Sequence, residues 1–432
     1  MTLNPQAEEL NEQIKKNNPV VLELLSEKGK AIYFPKKGIL AQAADAKGKK
    51  INATIGIALE EDGTPMRLNS IAKNIDLNPK DIFPYAPSFG KPELRKVWKE
   101  MIYKKNPSLK YKPISLPITT NALTHGISMC GYLFIDPGDK VILPDLFWGN
   151  YKLILIRGYS AELDTFPTFK EDAFNLNGLK EKLSEGKGKK IVLLNFPNNP
   201  SGYTPTEEEA KEIIEIIKEA AEAGNKILVL IDDAYFGLVY KEGVYKESIL
   251  SQLADLHKNI LAVKIDGATK EDYVWGFRTG FLTYGIKGGD EDLYAALESK
   301  TAGAVRGNIS NAPHISQSLV LNAFTSETYD KEKKEKYNIL KERFELVTKV
   351  LEENKDYKSY FKALPFNSGY FMCIKLAEGL DGEKVRQLLL EKYSTGVIAM
   401  KDILRIAFSS TKKESIAELF QNIYSACKEI KA

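Results

Sequence analysis

Cysteine and histidine are scarce in this chain. Three cysteines, Cys130, Cys373 and Cys427, and three histidines are spread over 432 residues. Those numbers and spacings offer neither a disulfide framework nor a zinc-ligand pattern. No apolar run approaches the roughly 20 residues that a membrane-crossing helix needs. A charged-then-apolar secretory leader is also missing, so the expectation is a cytoplasmic protein. Neither sign of charge dominates: 61 Lys and Arg face 58 Asp and Glu, a net charge of +3. The charges are interspersed, so nothing demands nucleic acid or anionic lipid as a partner. Lys331 to Lys336 mixes both signs and reads as the exposed face of a long helix. No repeat or low-complexity segment stands out.

The apolar fraction is 43%, ordinary for a globular chain. The length predicts two domains sharing a large core. Strand-like apolar runs alternate with helical patterns over about residues 66–335, which predicts a mostly parallel, helix-covered sheet. Residues 1–65 are expected to form an N-terminal arm and part of a smaller domain. Residues 336–432 complete that domain, with strands such as the one near Ser368 to Lys375. A helical stretch from about Ser316 to Glu353 is expected to join the two.

The most informative stretch runs from Gly267 to Gly280. It places Lys270 in a loop just after the apolar run Ile260 to Ile265, and Arg278 eight positions further on. A lysine amine can hold an aldehyde as a Schiff base, and an arginine can clamp a phosphate. Taken alone, Lys270 reads as one more surface charge.

Five other segments accompany it. Asn195 to Gly202 follows the buried-strand run Ile191 to Leu194 and reads as a loop. Thr206 and Glu209 then have capping-box spacing before a helical pattern reaching about Ala223, and Gly224-Asn225 is a stop signal. With the strand at Ile227 to Ile231 this makes a βαβ unit. Asp232 ends that strand at its carboxyl edge, where open α/β sheets bind ligands. It is either a solvated loop acid or a buried carboxylate that needs a cationic partner. Ile118 to Ile127 reads as a strand end turning into a helix near Leu123, and the free amides of such a turn suit phosphate. Trp148 is either a core residue or a ring that stacks on a ligand. Arg405 sits inside an apolar strand-like run and needs an anion, for which its planar fork matches a carboxylate.

In their order along the chain the segments resemble the class I/II aminotransferases, fold type I of the pyridoxal-phosphate enzymes, and aspartate aminotransferases in particular. The resemblance covers about Ile51 to Ser409. It implies an α/β fold of aspartate aminotransferase type: a large domain with a mostly parallel seven-stranded sheet, and a smaller α+β domain. It implies pyridoxal 5'-phosphate as cofactor, bound through Lys270. The amides of Ala122 and Leu123, the hydroxyls of Thr124 and Thr269, and Arg278 would take the phosphate. Trp148 would stack on the ring, and Asp232 would keep its nitrogen protonated. Asn199 and Tyr235 would hydrogen-bond the phenolic oxygen. Arg405 would bind the substrate α-carboxylate beside Asn199, and Gly56 lies in a segment resembling the mobile loop over the substrate. His125 is given no catalytic role.

Arg306 and Ser310 match the spacing of an arginine and a serine that, in aspartate aminotransferases, reach the neighbouring subunit's site; otherwise Arg306 is a rim arginine in a surface ion pair. Tyr85 resembles a tyrosine reaching the phosphate across the dimer. These imply a homodimer with shared sites. The activity implied is ping-pong transfer of an amino group between an L-amino acid, dicarboxylic or aromatic, and a 2-oxo acid. A carbon–sulfur lyase or a decarboxylase on the same fold shares the lysine, aspartate and tyrosine. A non-enzymatic sensor on this fold is the third reading, for which the chain lacks a separate DNA-binding domain. Two departures stand out. Gly267 replaces the family's serine and leaves the phosphate cup a hydroxyl short. Glu271 and Asp272 crowd Lys270 and are expected to face solvent, since inward carboxylates would raise its pKa.

Overall fold

The computed structural model describes residues 3–17, 19, 22, 25–32, 38–73 and 77–431; the expected N-terminal arm therefore lies partly outside the described residues. Seven strands build the main sheet: β1 (Ile118–Asn121), β2 (Lys140–Pro144), β3 (Glu162–Phe166), β4 (Lys189–Asn195), β5 (Lys226–Asp232), β6 (Ile260–Asp266) and β7 (Thr279–Gly285). Their spatial order is β1-β7-β6-β5-β4-β2-β3. β7 runs antiparallel to both of its neighbours, and the other adjacent pairs are parallel. β5 and β6 are buried almost end to end. This is why they read as continuous apolar runs rather than alternating ones: helices cover both faces of such a sheet.

The direction of β7 matters for the site. Its first residue, Thr279, pairs with Asn121 at the end of β1, and Phe281 pairs with Asp266 at the end of β6. The start of β7 therefore lies at the edge where the parallel strands finish. Asn121, Asn195, Asp232, Asp266 and Arg278 share that edge.

The helices follow local signals. α1 (Pro92–Lys105) starts with proline in its first turn, where the missing N–H costs nothing. α2 (Ala122–Phe134) follows β1 directly and packs on β1, β6 and β7. α3 (Glu207–Glu222) has the expected capping box, with Thr206 Oγ1 accepting from the Glu209 amide at 3.1 Å and Glu209 Oε2 accepting from the Thr206 amide at 2.8 Å. α4 (Ala268–Glu271) is a single turn after β6, and α5 (Glu291–Ile309) follows β7.

The helical stretch expected from Ser316 to Glu353 is divided into α6 (His314–Phe324) and α7 (Tyr329–Glu353). Thr325, Ser326 and Thr328 lie at the break. Their hydroxyls bond locally, Thr325 Oγ1 to the Leu321 carbonyl at 3.3 Å and Ser326 Oγ with Thr328 Oγ1 at 3.0 Å. Such side chains compete with the helical ladder. A charged run carried by α7 hides this break in the sequence.

A second, antiparallel sheet comprises β8 (Phe361–Ala363), β9 (Phe371–Leu376), β10 (Ile398–Met400) and β11 (Ile403–Ala407), in the order β8-β9-β11-β10. Ile51–Asn52 pairs in parallel with Thr395–Gly396, which ties the segment before the main sheet to the part of the chain after it. The two sheets meet where Gly202, with φ of +72°, brings its backbone against Phe371. A Cβ on residue 202 would lie 1.8 Å from the Phe371 carbonyl oxygen, so only glycine fits. No helix among the described residues is long and apolar enough to cross a membrane.

Candidate active site

Lys270 projects from α4, in the turn that follows the buried strand β6. Its amine is half-buried and lies 5.2 Å from the centroid of the Tyr235 ring. Burial pulls its pKa down to about 8; Asp232 opposes the fall and Arg278 adds to it. A lysine at that pKa has a substantial neutral fraction near neutral pH, which a nucleophile or proton acceptor requires. The backbone carbonyl of Lys270 accepts from the Tyr370 hydroxyl at 3.1 Å.

Asp232 is 3% exposed. Tyr151 donates its hydroxyl to Asp232 Oδ2 at 2.5 Å, and the Ala234 amide donates to Oδ1 at 3.1 Å. Burial raises the Asp232 pKa, while the Tyr151 hydrogen bond and the Lys270 charge work against the rise. Asn195, the last residue of β4, steadies this corner. Its Nδ2 donates to the Asp232 carbonyl at 2.8 Å, and its Oδ1 accepts from the Asn199 amide at 2.8 Å.

Sequence reasoning missed Tyr151. The signal was present, since Tyr151 follows Trp148 by one helical turn and the two rings meet edge to face at 5.7 Å. Asn195, Thr54 and Tyr370 were also missed. Their contacts join distant segments, and nothing local reports them.

Arg405, on β11, enters from the second sheet. Its guanidinium carbon is 4.3 Å from the centroid of Phe371, Nη1 donates to Asn199 Oδ1 at 3.3 Å, and Nη2 donates to the Thr54 carbonyl at 3.2 Å. Burial lowers its pKa. No carboxylate pairs with it among the described residues, and its buried Nε has no acceptor. A buried cation lacking an anion is costly. Tyr235 lies near Arg405 and Asn199, and burial pushes its pKa up.

Arg278 adopts a left-handed backbone, φ 57° and ψ 47°, at the entrance to β7. It spends one N–H on the Trp275 carbonyl at 3.0 Å, and burial lowers its pKa. Across the strand pair lies the first turn of α2, where the amides of Ala122, Leu123 and Thr124 begin the helix and have no intrahelical acceptor. Ala122 has φ of +62°, a conformation that an L-residue with a Cβ adopts at a cost. The Thr269 hydroxyl is buried and points to the Thr279 carbonyl at 3.5 Å.

Gly267 has a physical explanation in this chain. A Cβ there would sit 2.5 Å from the Thr279 carbonyl oxygen and 2.6 Å from the Gly280 Cα. The close approach of β7 leaves no room for a serine.

The expectation for Glu271 and Asp272 is overturned. They are 4% and 0% exposed. Glu271 pairs with Lys105 of α1 and lies 3.2 Å from Lys333 of α7. Asp272 lies 3.0 Å from Lys333 and accepts from the Tyr329 hydroxyl at 2.6 Å. Burial pushes the Glu271 pKa up, but Lys105 and Lys333 outweigh it and hold the carboxyl at about 2. The acids thus turn away from Lys270 into their own cationic cage, where their charge is answered and the feared rise in the Lys270 pKa does not follow. Those partners lie about 60 or more positions distant at the least, beyond any local pattern.

The remaining residues lie elsewhere. Trp148 is half-buried. Gly56 is exposed with open space at its Cα. Tyr85 is 89% exposed. Arg306 and Ser310 are exposed at the end of α5, and Arg306 makes no ion pair among the described residues. Ser88 Oγ donates to the Ser310 carbonyl at 2.8 Å, which sets the Tyr85 loop beside Ser310. His125 is packed at the start of α2, where its Nδ1 accepts from the Asn121 amide at 3.1 Å.

The two-sheet α/β fold, with a lysine and a buried carboxylate at one sheet edge, is that of the pyridoxal-phosphate enzymes of fold type I, to which the family match below assigns it. The profile of the aminotransferase class I and II family matches residues 48–423. The chain belongs to that family and is an aminotransferase, acting on small amino and oxo acids. A probable aspartate/prephenate aminotransferase of Aquifex aeolicus is 27% identical over 361 residues, covering 80% of this chain and 84% of that protein. An aspartate aminotransferase of Pyrococcus horikoshii is also 27% identical, covering 86% and 90%. Among solved structures, an aminotransferase from Anaerococcus prevotii superposes with a TM-score of 0.83 at 25% identity, covering 93% and 98%. A kynurenine aminotransferase of Pyrococcus horikoshii, solved with PMP, superposes with a TM-score of 0.77 at 17% identity, covering 95% and 98%.

The cofactor of the family is pyridoxal 5'-phosphate, and the residues present fit it. The Lys270 amine has no hydrogen-bond acceptor among the described residues. The free amides of α2 and the uncommitted N–H groups of Arg278 face one edge and offer donors to a phosphate. Asp232 is a buried acid, suited to a ring N–H.

Proposed function

We propose that this aminotransferase moves the amino group between a dicarboxylic or aromatic L-amino acid and a 2-oxo acid in two successive half-reactions. The observation that carries the reading is Arg405: a buried guanidinium over Phe371, held by Asn199 and Thr54, with an N–H that lacks an acceptor. It calls for an anion of substrate size, and a carboxylate matches its fork.

When bound, pyridoxal phosphate supplies the aldehyde that receives the amino group and the ring that takes up the electron pair released at Cα. The chain's own residues do the rest. Lys270, its pKa lowered to about 8 by burial, would take the proton from Cα and deliver it to the carbon that entered as the aldehyde. Asp232, oriented by Tyr151, would hold the ring N–H. Asn199 and Tyr235 would donate to the phenolic oxygen, and Trp148 would lie against the ring. Ala122, Leu123, Thr124, Thr269 and Arg278 would hold the phosphate. Arg405 fixes the α-carboxylate so that the Cα–H bond faces Lys270, with the Gly56 segment over the substrate.

The dicarboxylate preference rests on Arg306. It is an exposed cation four positions before Ser310 with no ion pair among the described residues, and Ser310 contacts the loop that carries Tyr85 and Phe83, which are 89% and 82% exposed. Such a patch suits a homodimer in which Arg306, Ser310 and Tyr85 serve the neighbouring site.

The test is the visible spectrum of the loaded enzyme on adding L-glutamate, then L-aspartate, without any oxo acid. Loss of the cofactor band, stoichiometric release of a 2-oxo acid, and recovery with 2-oxoglutarate are expected. Silence with both donors would remove the Arg306 argument.

A further inference from the structure

The segment that carries Lys270 also forms one wall of a separate cavity. Its volume is about 280 Å³, and its lining includes Phe236, Leu238, Glu271, Tyr273, Lys334 and Tyr337. None of these is a residue proposed above for cofactor or substrate. The volume lies just below the roughly 300 Å³ at which small-molecule sites begin, enough for a single-ring compound.

The walls specify the chemistry. Phe236, Tyr273 and Tyr337 offer aromatic faces and edges. The charges are mostly answered already. Glu271 is held by Lys105 and Lys333, Lys333 is shared with Asp272, and Asp330, which also lines the cavity, pairs with Lys104 at 2.9 Å. Lys334 is the exception. It is exposed and has no ion pair among the described residues, and its ammonium lies 4.7 Å from the Tyr337 ring centroid. Tyr273 is buried for most of its surface, but its hydroxyl makes no hydrogen bond among the described residues and remains open to the cavity it lines, where it can donate to a ligand.

We propose that this cavity is a second ligand site, for a single-ring aromatic carboxylate. The ring packs among Phe236, Tyr273 and Tyr337, the carboxylate pairs with Lys334, and the Tyr273 hydroxyl donates to the ligand. Such a ligand touches Glu271 and Tyr273, one and three residues beyond Lys270. Binding there biases the turn that presents the Lys270 amine, and substrate binding biases the cavity in return, because coupling between sites is reciprocal. The proposal stands whether or not the enzyme prefers dicarboxylic donors.

The probe is 4-fluorophenylacetate, followed by fluorine NMR on the holoenzyme. An aromatic carboxylate can also enter the active site through Arg405, so binding is measured in Arg405→Ala and in Arg405→Ala combined with Lys334→Glu. Retained binding in the first and roughly tenfold weaker binding in the second are expected, the change that about 1.4 kcal/mol produces. Tyr273→Phe in the Arg405→Ala background is expected to weaken the probe severalfold as well. Loss of all binding in Arg405→Ala alone would overturn the proposal, as would an affinity indifferent to both Lys334→Glu and Tyr273→Phe. In the otherwise unaltered enzyme, the probe is expected to change kcat for L-glutamate at saturating substrate, and Lys334→Glu to abolish that effect while leaving the rate without probe unchanged.

Discussion

Glu271→Gln removes one charge from the cage behind Lys270 and leaves Lys105 and Lys333 short of a partner. The Glu271 carboxyl is held at about 2 against an ordinary 4.5. That gap corresponds to about 3 kcal/mol of folding stability, at about 1.4 kcal/mol per pKa unit. Breaking a buried pair by removing one partner costs a similar 3–5 kcal/mol or so. A loss of about 3 kcal/mol at pH 7 is therefore expected, read as a fall in the urea midpoint at unchanged slope. The pH dependence has a definite sign. A depressed carboxylate pKa contributes its full stability above 4.5 and loses it as pH falls toward 2. The difference between the native chain and the variant should be flat from pH 7 to about 5 and shrink below that. The strongest influences on Lys270 are burial, Asp232 and Arg278, not Glu271, so the visible absorbance of the loaded variant should titrate as in the native enzyme. A loss below about 1 kcal/mol, the same at every pH, would refute the reasoning, because that is how a solvated surface carboxylate behaves.

Four further outcomes are expected. Arg405→Lys replaces a fork by a point charge and loses the contacts to Asn199 and Thr54; kcat/KM for every amino donor should fall roughly 30-fold or more, by about 2 kcal/mol or above. Capture of pyridoxal phosphate by the apoenzyme needs the neutral Lys270 amine. Its rate should rise with pH and level off above about 8, whereas an unperturbed lysine would keep rising to about 10.4. Ala122→Gly relieves a positive φ of 62° and should stabilise the fold by roughly 1 kcal/mol in thermal unfolding. Gly267→Ser restores the family's hydroxyl but drives its Cβ to 2.5 Å from the Thr279 carbonyl oxygen. It should lower both stability and cofactor affinity, measured by dialysis and reloading.

Several candidate site residues were legible because they sit where secondary structure changes. Asp232 ends β5, Arg278 precedes β7, and Asn199 and Lys270 lie four residues past the ends of β4 and β6; a buried parallel strand announces itself as an apolar run. The capping box at Thr206 and Glu209 was equally plain, being local chemistry. The residues that escaped notice act across the fold. Tyr151 reaches Asp232 over 81 positions, and Thr54 reaches Arg405 over 351. A hydroxyl or a backbone carbonyl carries no mark of such a partner. The break between α6 and α7 was missed because a charged helical pattern masks three hydroxyl residues.

The alternation of strands and helices, the carboxyl-edge placement of Asp232 and Lys270, and the need of Arg405 for an anion follow from the amino-acid sequence, since each depends on a run or a turn of a few residues; the spatial order of the strands does not. Tertiary structure alone decided which way Glu271 and Asp272 turn. It also decided that residue 267 has no room for a side chain and that Ala122 carries a left-handed backbone. In each case the deciding neighbour lies on another strand or helix: Lys105 and Lys333 for the acids, Thr279 and Gly280 for Gly267. Burial and charge compensation are properties of the assembled core, and a residue acquires them only when segments far apart in the chain are packed together.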